Sequence, residues 1–306
     1  MIKAVIFDLF SINDAEALFE SLVVLRSQDF LLSLICAPDV RGTLSPYVED
    51  IVITPDTDPI NVASLLGVSP SECIFVGCSA DGLKGARSAG MQTVFYDVSD
   101  IPLDSRLEIM RYADRSVEHD SDLYSLNEGE LFLTEVSPAY EDQIEAFKRE
   151  CLEFDADNED LLAGCYLLDD HSAAEWIRIC ALRRSADTCK SVGSDVPSHS
   201  FLAVRRSDLR VVGIIDLRHH IDHPILGTWG GHCGYTVRPS ERGKGYASEM
   251  LRLNIARARK MGITKMLITC NSTNIGSEKV IVRNGGEFER CIEVDGATLK
   301  RFWICV

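Results

Sequence analysis

Five short apolar runs, KAVIFDLF, FLLSLICA, DIVIT, CIFVG and TVFYD, punctuate the first third of the chain, with intervals long enough to hold a helix. Such runs, about four to eight residues long and without alternation, read as strands buried on both faces. Strands spaced by helix-length segments read as βαβ units, so a parallel sheet covered on both sides is expected. Residues 59–67 (PINVASLLG) and 82–90 (GLKGARSAG) have helical spacing and end in glycine.

From residue 98 to 129 the sequence turns polar and acidic with little periodic apolar signal, and a domain boundary is placed near residue 128. A different set follows: a strand at ELFLTEV, helical patterns over 140–154 and 173–184, and a polar stretch, SADTCKSVGSDVPSHS, expected to be a mobile loop. Strands are then expected at FLAVRR, VVGIIDLRH and HCGYTV, a helix over 243–261, a strand at KMLITC, a helix after Asn274, and closing strands at GEFERCIEV and TLKRFWICV.

At 306 residues, 46% of them hydrophobic, the chain has core enough for two domains, and charge divides it at the same place. Residues 1–128 hold 8 Lys+Arg against 21 Asp+Glu, net −13; residues 129–306 hold 23 against 26, net −3. The amino-terminal apolar run is interrupted by Asp8 and is too short for a signal peptide or membrane span, so a cytoplasmic protein without a membrane partner is expected. Eleven cysteines occur without a C-x-x-C pair and mostly inside apolar runs, which reads as reduced core thiols.

Against this acidic background, residues 236–260 carry seven Lys+Arg and two Asp+Glu. That local excess can face a small anion but is too confined for a duplex, so no nucleic-acid partner is expected. At its centre strand HCGYTV runs through RPSERGKGYA into a helical pattern. Glycines at a strand-to-helix turn let a bulky anion approach the free N–H groups of a helix start, and Arg242 and Lys244 add charge. A pyrophosphate suits the arrangement. A P-loop needs Ser or Thr where Gly245 follows Lys244, and the dinucleotide fingerprint needs a glycine where Ser248 stands.

The pattern R-x-x-G-x-A at Arg242, Gly245 and Ala247, with V-R-P before it and a long helix after it, resembles the GNAT superfamily of acyl-CoA-dependent N-acyltransferases, from about residue 131 to 306. The resemblance implies an α+β fold with a mostly antiparallel mixed sheet, acetyl-CoA as co-substrate and no metal. It implies that Val237 pairs with the pantetheine arm, that residues 242–247 (Arg242, Gly243, Lys244, Gly245, Tyr246, Ala247) cradle the pyrophosphate beside Arg238, and that Asn274, with Ser277, meets the arm from the other side.

An amine near pKa ~10.4 must lose a proton before it attacks, so a base is expected. Where related branches carry a glutamate this chain has His232, whose ordinary pKa of about 6.5 suits the role. The tyrosine that many members use as general acid, seven residues after the motif asparagine, is replaced by Ile281, leaving Tyr235 and Tyr246 as candidate acids. His219, His220 and His223 are expected to line the substrate loop rather than hold a metal, since adjacent histidines on a strand point to opposite faces. Cys233 and Cys270 lie in apolar strands and are read as packing.

Residues 1–98 resemble the haloacid dehalogenase-like (HAD) phosphohydrolases through KAVIFDLF and ECIFVGCSADGLKGARSAG. Asp8 keeps the nucleophile position, but Phe10 replaces the second aspartate, Cys78 the later acid, and DTDP the lysine. Asp58 and Asp81 stand outside the required places, and a soft thiol does not restore a magnesium site. A Rossmannoid sheet without cap and without hydrolysis is expected over 1–128.

The sequence therefore reads as an N-acetyltransferase, residues 129–306, joined to an inactive HAD-like domain, acting by direct attack on a primary amine of a small molecule or peptide. A CoA-sensing protein without turnover and an HAD-type phosphatase are the alternatives, and a homodimer is left open.

Overall fold

A computed structural model of the chain describes residues 2–10, 18–36, 51–97, 101–126, 129–154 and 162–306. Two compact units emerge, one comprising Met1–Gly129 with Ser137–Ala139, the other Glu130–Val136 with Tyr140–Val306. The boundary expected at residue 128 falls outside the described residues.

The first unit is built on six parallel strands in the order β3-β2-β1-β4-β5-β6: β1 Ala4–Asp8, β2 Leu31–Ile35, β3 Val52–Thr54, β4 Cys73–Gly77, β5 Gln92–Tyr96 and β6 Arg115–Val117. Every residue of β1 and β4 is buried, as continuous apolar runs require at the centre of a parallel sheet. Helices α1 Phe19–Ser27, α2 Pro59–Leu65, α3 Ala80–Ser88 and α4 Leu103–Met110 lie between successive strands, and α5 Asp120–Leu123 follows β6. Asp58 caps α2 by accepting from Ile60 N–H at 2.9 Å, and Ser79 caps α3. Strand order reverses between β1 and β4, so Asp8 and Cys78 stand at the carboxyl ends of the two strands flanking the switch point, both buried. Phe10 is exposed.

The region 98–129, read as aperiodic, contains α4, β6 and α5. Its polar residues are buried in pairs, which hides the period: Arg106 Nε donates to Asp97 at 2.7 Å, and Asp114 accepts from Thr93 N–H at 2.9 Å.

The second unit carries two sheets. β7 Leu131–Glu135, β8 Ser198–Arg205, β9 Arg210–Arg218 and β10 Tyr235–Val237 form an antiparallel sheet in the order β10-β9-β8-β7. β11 Lys265–Asn271, β12 Glu287–Val294 and β13 Ala297–Cys305 form a second, in the order β11-β13-β12. The mostly antiparallel sheet expected from the sequence is present as two antiparallel sheets, because β10 and β11 diverge and share no ladder among the described residues. Helices α6 Glu141–Phe154, α7 Ala173–Arg183, α8 Tyr246–Lys260 and α9 Ile275–Arg283 complete the unit. Helix α8 buries Met250, Leu251 and Ala258 among Leu131, Leu133, Phe201 and Ile215 of the first sheet. The stretch expected to be a mobile loop holds a short turn at Cys189–Val192, buried Cys189 and Val196, and the first residues of β8.

Candidate functional site

Two sheet edges, β10 and β11, open away from each other like a wedge, and His232 joins them at the apex. Its N–H donates to Leu267 O (2.8 Å), its carbonyl accepts from Arg218 N–H (2.8 Å), and its Nδ1 accepts from Leu267 N–H (2.9 Å). Beyond the apex the strands separate around a cavity of about 990 Å³.

One wall is peptide. Thr236 pairs with Ile214, and Arg238 N–H donates to Val212 O, so alternation turns the peptide groups of Tyr235 and Val237 away from β9 into the wedge. A third wall comes from residues 162–164, held by a hydrogen bond from Thr236 Oγ1 to Ala163 O (2.9 Å). At Gly164, with φ +81°, a Cβ would lie 2.2 Å from Gly234 O, so only glycine allows that approach.

The open end of the wedge is the turn into α8. The helix runs from Tyr246, so Gly243 and Gly245, expected inside it, form the turn before it, at φ +78° and +87°. Nothing lies within 4 Å of where a Cβ would stand on either. The N–H groups of residues 243–247 find no acceptor among the described residues, and Gly243, Gly245, Tyr246 and Ala247 line the cavity. An N-terminal helix turn with unmet donors and a partial positive charge is a site for an anion.

The cations divide unexpectedly. Arg242 lines the cavity and also donates through Nε to Val237 O at 3.1 Å. Arg238, expected at the cofactor, is buried instead, donating to Val211 O, Gln143 O and Glu150 and so tying the strand end to α6. Lys244 is absent from the cavity wall; its Nζ lies 2.7 Å from Glu241, which also pairs with Arg205 (2.8 Å) and Arg210 (3.1 Å). Desolvation works against the Glu241 carboxylate, but hydrogen bonds from Lys244 and Arg205 hold its pKa below the ordinary carboxylate value. Glu241 lines the cavity and went unnoticed in the sequence, because nothing in R-P-S-E-R marks an acid as the hub of three cations.

Across the wedge, Asn274 caps α9 by accepting from Ser277 N–H (2.9 Å), and Ser277 Oγ lies 2.8 Å from Tyr235 Oη; all three line the cavity. Burial pushes the Tyr235 phenol up, so it keeps its proton at neutral pH. Tyr246 donates its hydroxyl to Glu130 at 2.8 Å, directing that proton away from the cavity. Ile281 is fully buried.

His232 contributes no atom to the cavity wall, and burial pushes its pKa down to about 4. His219, His220 and His223 do not line the cavity either. His219 pairs with His199 (2.8 Å), His220 faces Asp222, and His223 lies 3.7 Å from Asp195. Cys233 and Cys270 line the wall, and burial pushes the Cys233 thiol up to about 12, unlike a nucleophile. Arg218, Trp229 and Thr269 complete the apex end; their signal in the sequence is weak, a lone arginine and a tryptophan among glycines.

Residues 144–287, which span the wedge and the turn, match the family described as the acetyltransferase (GNAT) domain. That segment is a GNAT acetyltransferase domain. None of the curated proteins matches the chain. Among solved structures, the chain carrying this GNAT domain is similar to RimJ of Mycobacterium smegmatis in complex with CoA-disulfide, at 20% identity and TM-score 0.42, covering 57% of this chain and 81% of that one. It is also similar to an acetyl transferase from Salmonella typhimurium that modifies the N-terminal serine of ribosomal protein L7/L12 (15% identity, TM-score 0.42, 58% and 96% covered). A third is a chimera of spermidine N-acetyltransferase SpeG from Vibrio cholerae and hSSAT (14% identity, TM-score 0.39, 58% and 96% covered). Among the described residues, no helix is long and apolar enough to cross a membrane.

Proposed function

We propose that the chain transfers an acetyl group from acetyl-CoA to a primary amine by direct attack. The observation that carries this reading is the run of unmet N–H donors from Gly243 to Ala247 at the mouth of the wedge, with two left-handed glycines leaving the approach open. Acetyl-CoA is the donor whose pyrophosphate would lie there, and Arg242 supplies the cation. The outward peptide groups of Tyr235 and Val237 would hold the pantetheine arm along β10, with Asn274 and Ser277 on the opposite side of the cavity.

Toward the apex, the Tyr235 hydroxyl, kept neutral by burial and paired with Ser277, would give its proton to the departing sulfur. A thiolate of ordinary pKa near 8.5 leaves with little help, so a strong acid is not required. His232 holds the seam; because its Nδ1 already accepts a hydrogen bond, the acceptor's proton is taken by water at the apex.

Residues 1–128 are read as a capless HAD-like domain without hydrolysis, since Cys78 stands where an acid would be needed and Asp58 caps a helix. Release of free CoA thiol on mixing the chain with acetyl-CoA and a panel of amines tests the transferase. Thiol release that requires an amine supports it; coenzyme binding without release supports a CoA sensor.

A further inference from the structure

We infer that the acceptor amine carries a carbonyl or carboxylate oxygen on the carbon next to its own, and that Arg218 binds that oxygen. The inference rests on the transferase reading above and goes on to name the acceptor's chemistry.

Arg218 lies opposite His232, five residues along the strand from Val237, which at about 3.3 Å per residue puts it roughly 17 Å from the coenzyme end of β10. It lines the cavity there. Its Nη1 donates to Gly230 O (2.6 Å) and Gly231 O (3.1 Å), and its Nη2 pairs with Asp216 at 3.2 Å. A guanidinium has five N–H donors in a rigid fork, so Nε–H and one Nη2–H find no partner among the described residues.

The pair with Asp216 is lopsided. Asp216 is fully buried, and its Oδ1 accepts from Gly234 N–H at 2.6 Å, so the carboxylate lies behind the wall and the guanidinium at its surface. An amine reaching the apex as its ammonium meets a like charge, and the repulsion falls only as the inverse of distance. An oxygen two bonds from the amine-bearing carbon fills the free donors, and as a carboxylate it also offsets that repulsion. α-Amino acids and peptide amino termini have such an oxygen; polyamines and lysine side chains do not.

Trp229 forms the adjoining wall, and its turn is fixed. The carbonyls of Gly227 and Thr228 accept from Arg301, that of Trp229 from Thr269 Oγ1, and those of Gly230 and Gly231 from Arg218. Three strands thus hold five consecutive carbonyls, which sets the ring as a preorganised surface for the substituent on the acceptor's α-carbon.

The test uses the full chain, saturating acetyl-CoA and four amines, alanine, alaninamide, isopropylamine and putrescine, compared per unprotonated amine. The expected result is a kcat/KM for alanine or alaninamide at least about tenfold above that for isopropylamine. Preference for alanine assigns the oxygen to a free carboxylate, and preference for alaninamide to a peptide. Arg218→Gln should erase the preference while the KM for acetyl-CoA stays within about twofold. Equal or better use of isopropylamine or putrescine overturns the inference and leaves the transferase intact. So does an Arg218→Gln chain that loses acetyl-CoA binding while keeping the preference. Coenzyme binding with no thiol release from any amine overturns both.

Discussion

His232 and Leu267 exchange two hydrogen bonds, N–H to carbonyl at 2.8 Å and Leu267 N–H to imidazole Nδ1 at 2.9 Å, and these join two sheets that are otherwise splayed. A neutral imidazole that accepts at Nδ1 carries its proton on Nε2, leaving no basic lone pair for an incoming amine. His232→Asn, whose Oδ1 can take the place of Nδ1, should keep kcat within about fivefold, whereas loss of a general base costs about a hundredfold or more. His232→Leu, which leaves Leu267 N–H buried without an acceptor, should lower stability by about 1–3 kcal/mol. Steady-state rates and urea midpoints on both variants check this, and a hundredfold loss in His232→Asn with unchanged stability would return the base role to His232.

Stability should fall on mild acidification. Burial holds His232 at about 4 and His199 at about 3, below the ordinary histidine value near 6.5 that both regain on unfolding. The unfolded chain therefore binds more protons between those values; the stabilisation is complete above pH 6.5 and is lost as pH falls toward 4 for His232 and toward 3 for His199. Together the two histidines should make the fold on the order of 3 kcal/mol less stable at pH 5 than at pH 7. Urea melts at the two pH values measure it, and His232→Asn should remove roughly half of the slope.

Gly243→Ala and Gly245→Ala should weaken CoA binding at least about tenfold while costing only about 1–2 kcal/mol of stability, because the new methyl strains a left-handed residue but meets no neighbour. Gly262→Ala is the matched control: it has φ +77° and equally open surroundings, but ends α8 rather than starting it. It should cost the same stability and leave CoA affinity unchanged. Equal effects on affinity at all three sites would refute a phosphate role for the turn.

Of the eleven thiols, Cys291 and Cys305 are exposed and nine are buried. Two should react quickly with a thiol reagent in the native state and eleven after denaturation. Rapid native labelling of Cys233, whose pKa burial pushes up to about 12, would mean the cavity wall is far more open than described.

The sequence disclosed these elements unevenly, for physical reasons. The strands of both units announce themselves by apolar runs, and the turn at Gly243 and Gly245 by glycines where a strand meets a helix. Partners far apart in sequence leave no such trace. Arg238 looked like a ligand for an anion because the chain does not show that Glu150, 88 residues earlier, lies 3.1 Å away. Nor does the local sequence show that Lys244 pairs with Glu241, which gathers three cations. Three histidines in LRHHIDHP suggested a cluster, yet strand alternation and the following turn send each to its own partner. Strand β6 and helix α4 carry little apolar signal because buried polar side chains supply part of their inward face, Arg106 pairing with Asp97 and Arg115 donating to the carbonyls of Asp122 and Ser125.

Calorimetric titration of coenzyme A into the folded chain probes the anion site at the Gly243–Gly245 turn without any chemistry. Saturable one-to-one binding is expected, in the micromolar range or tighter (about −8 kcal/mol), weakened in Gly245→Ala and not in Gly262→Ala. Absence of binding heat across several temperatures, with the chain folded throughout, would contradict it.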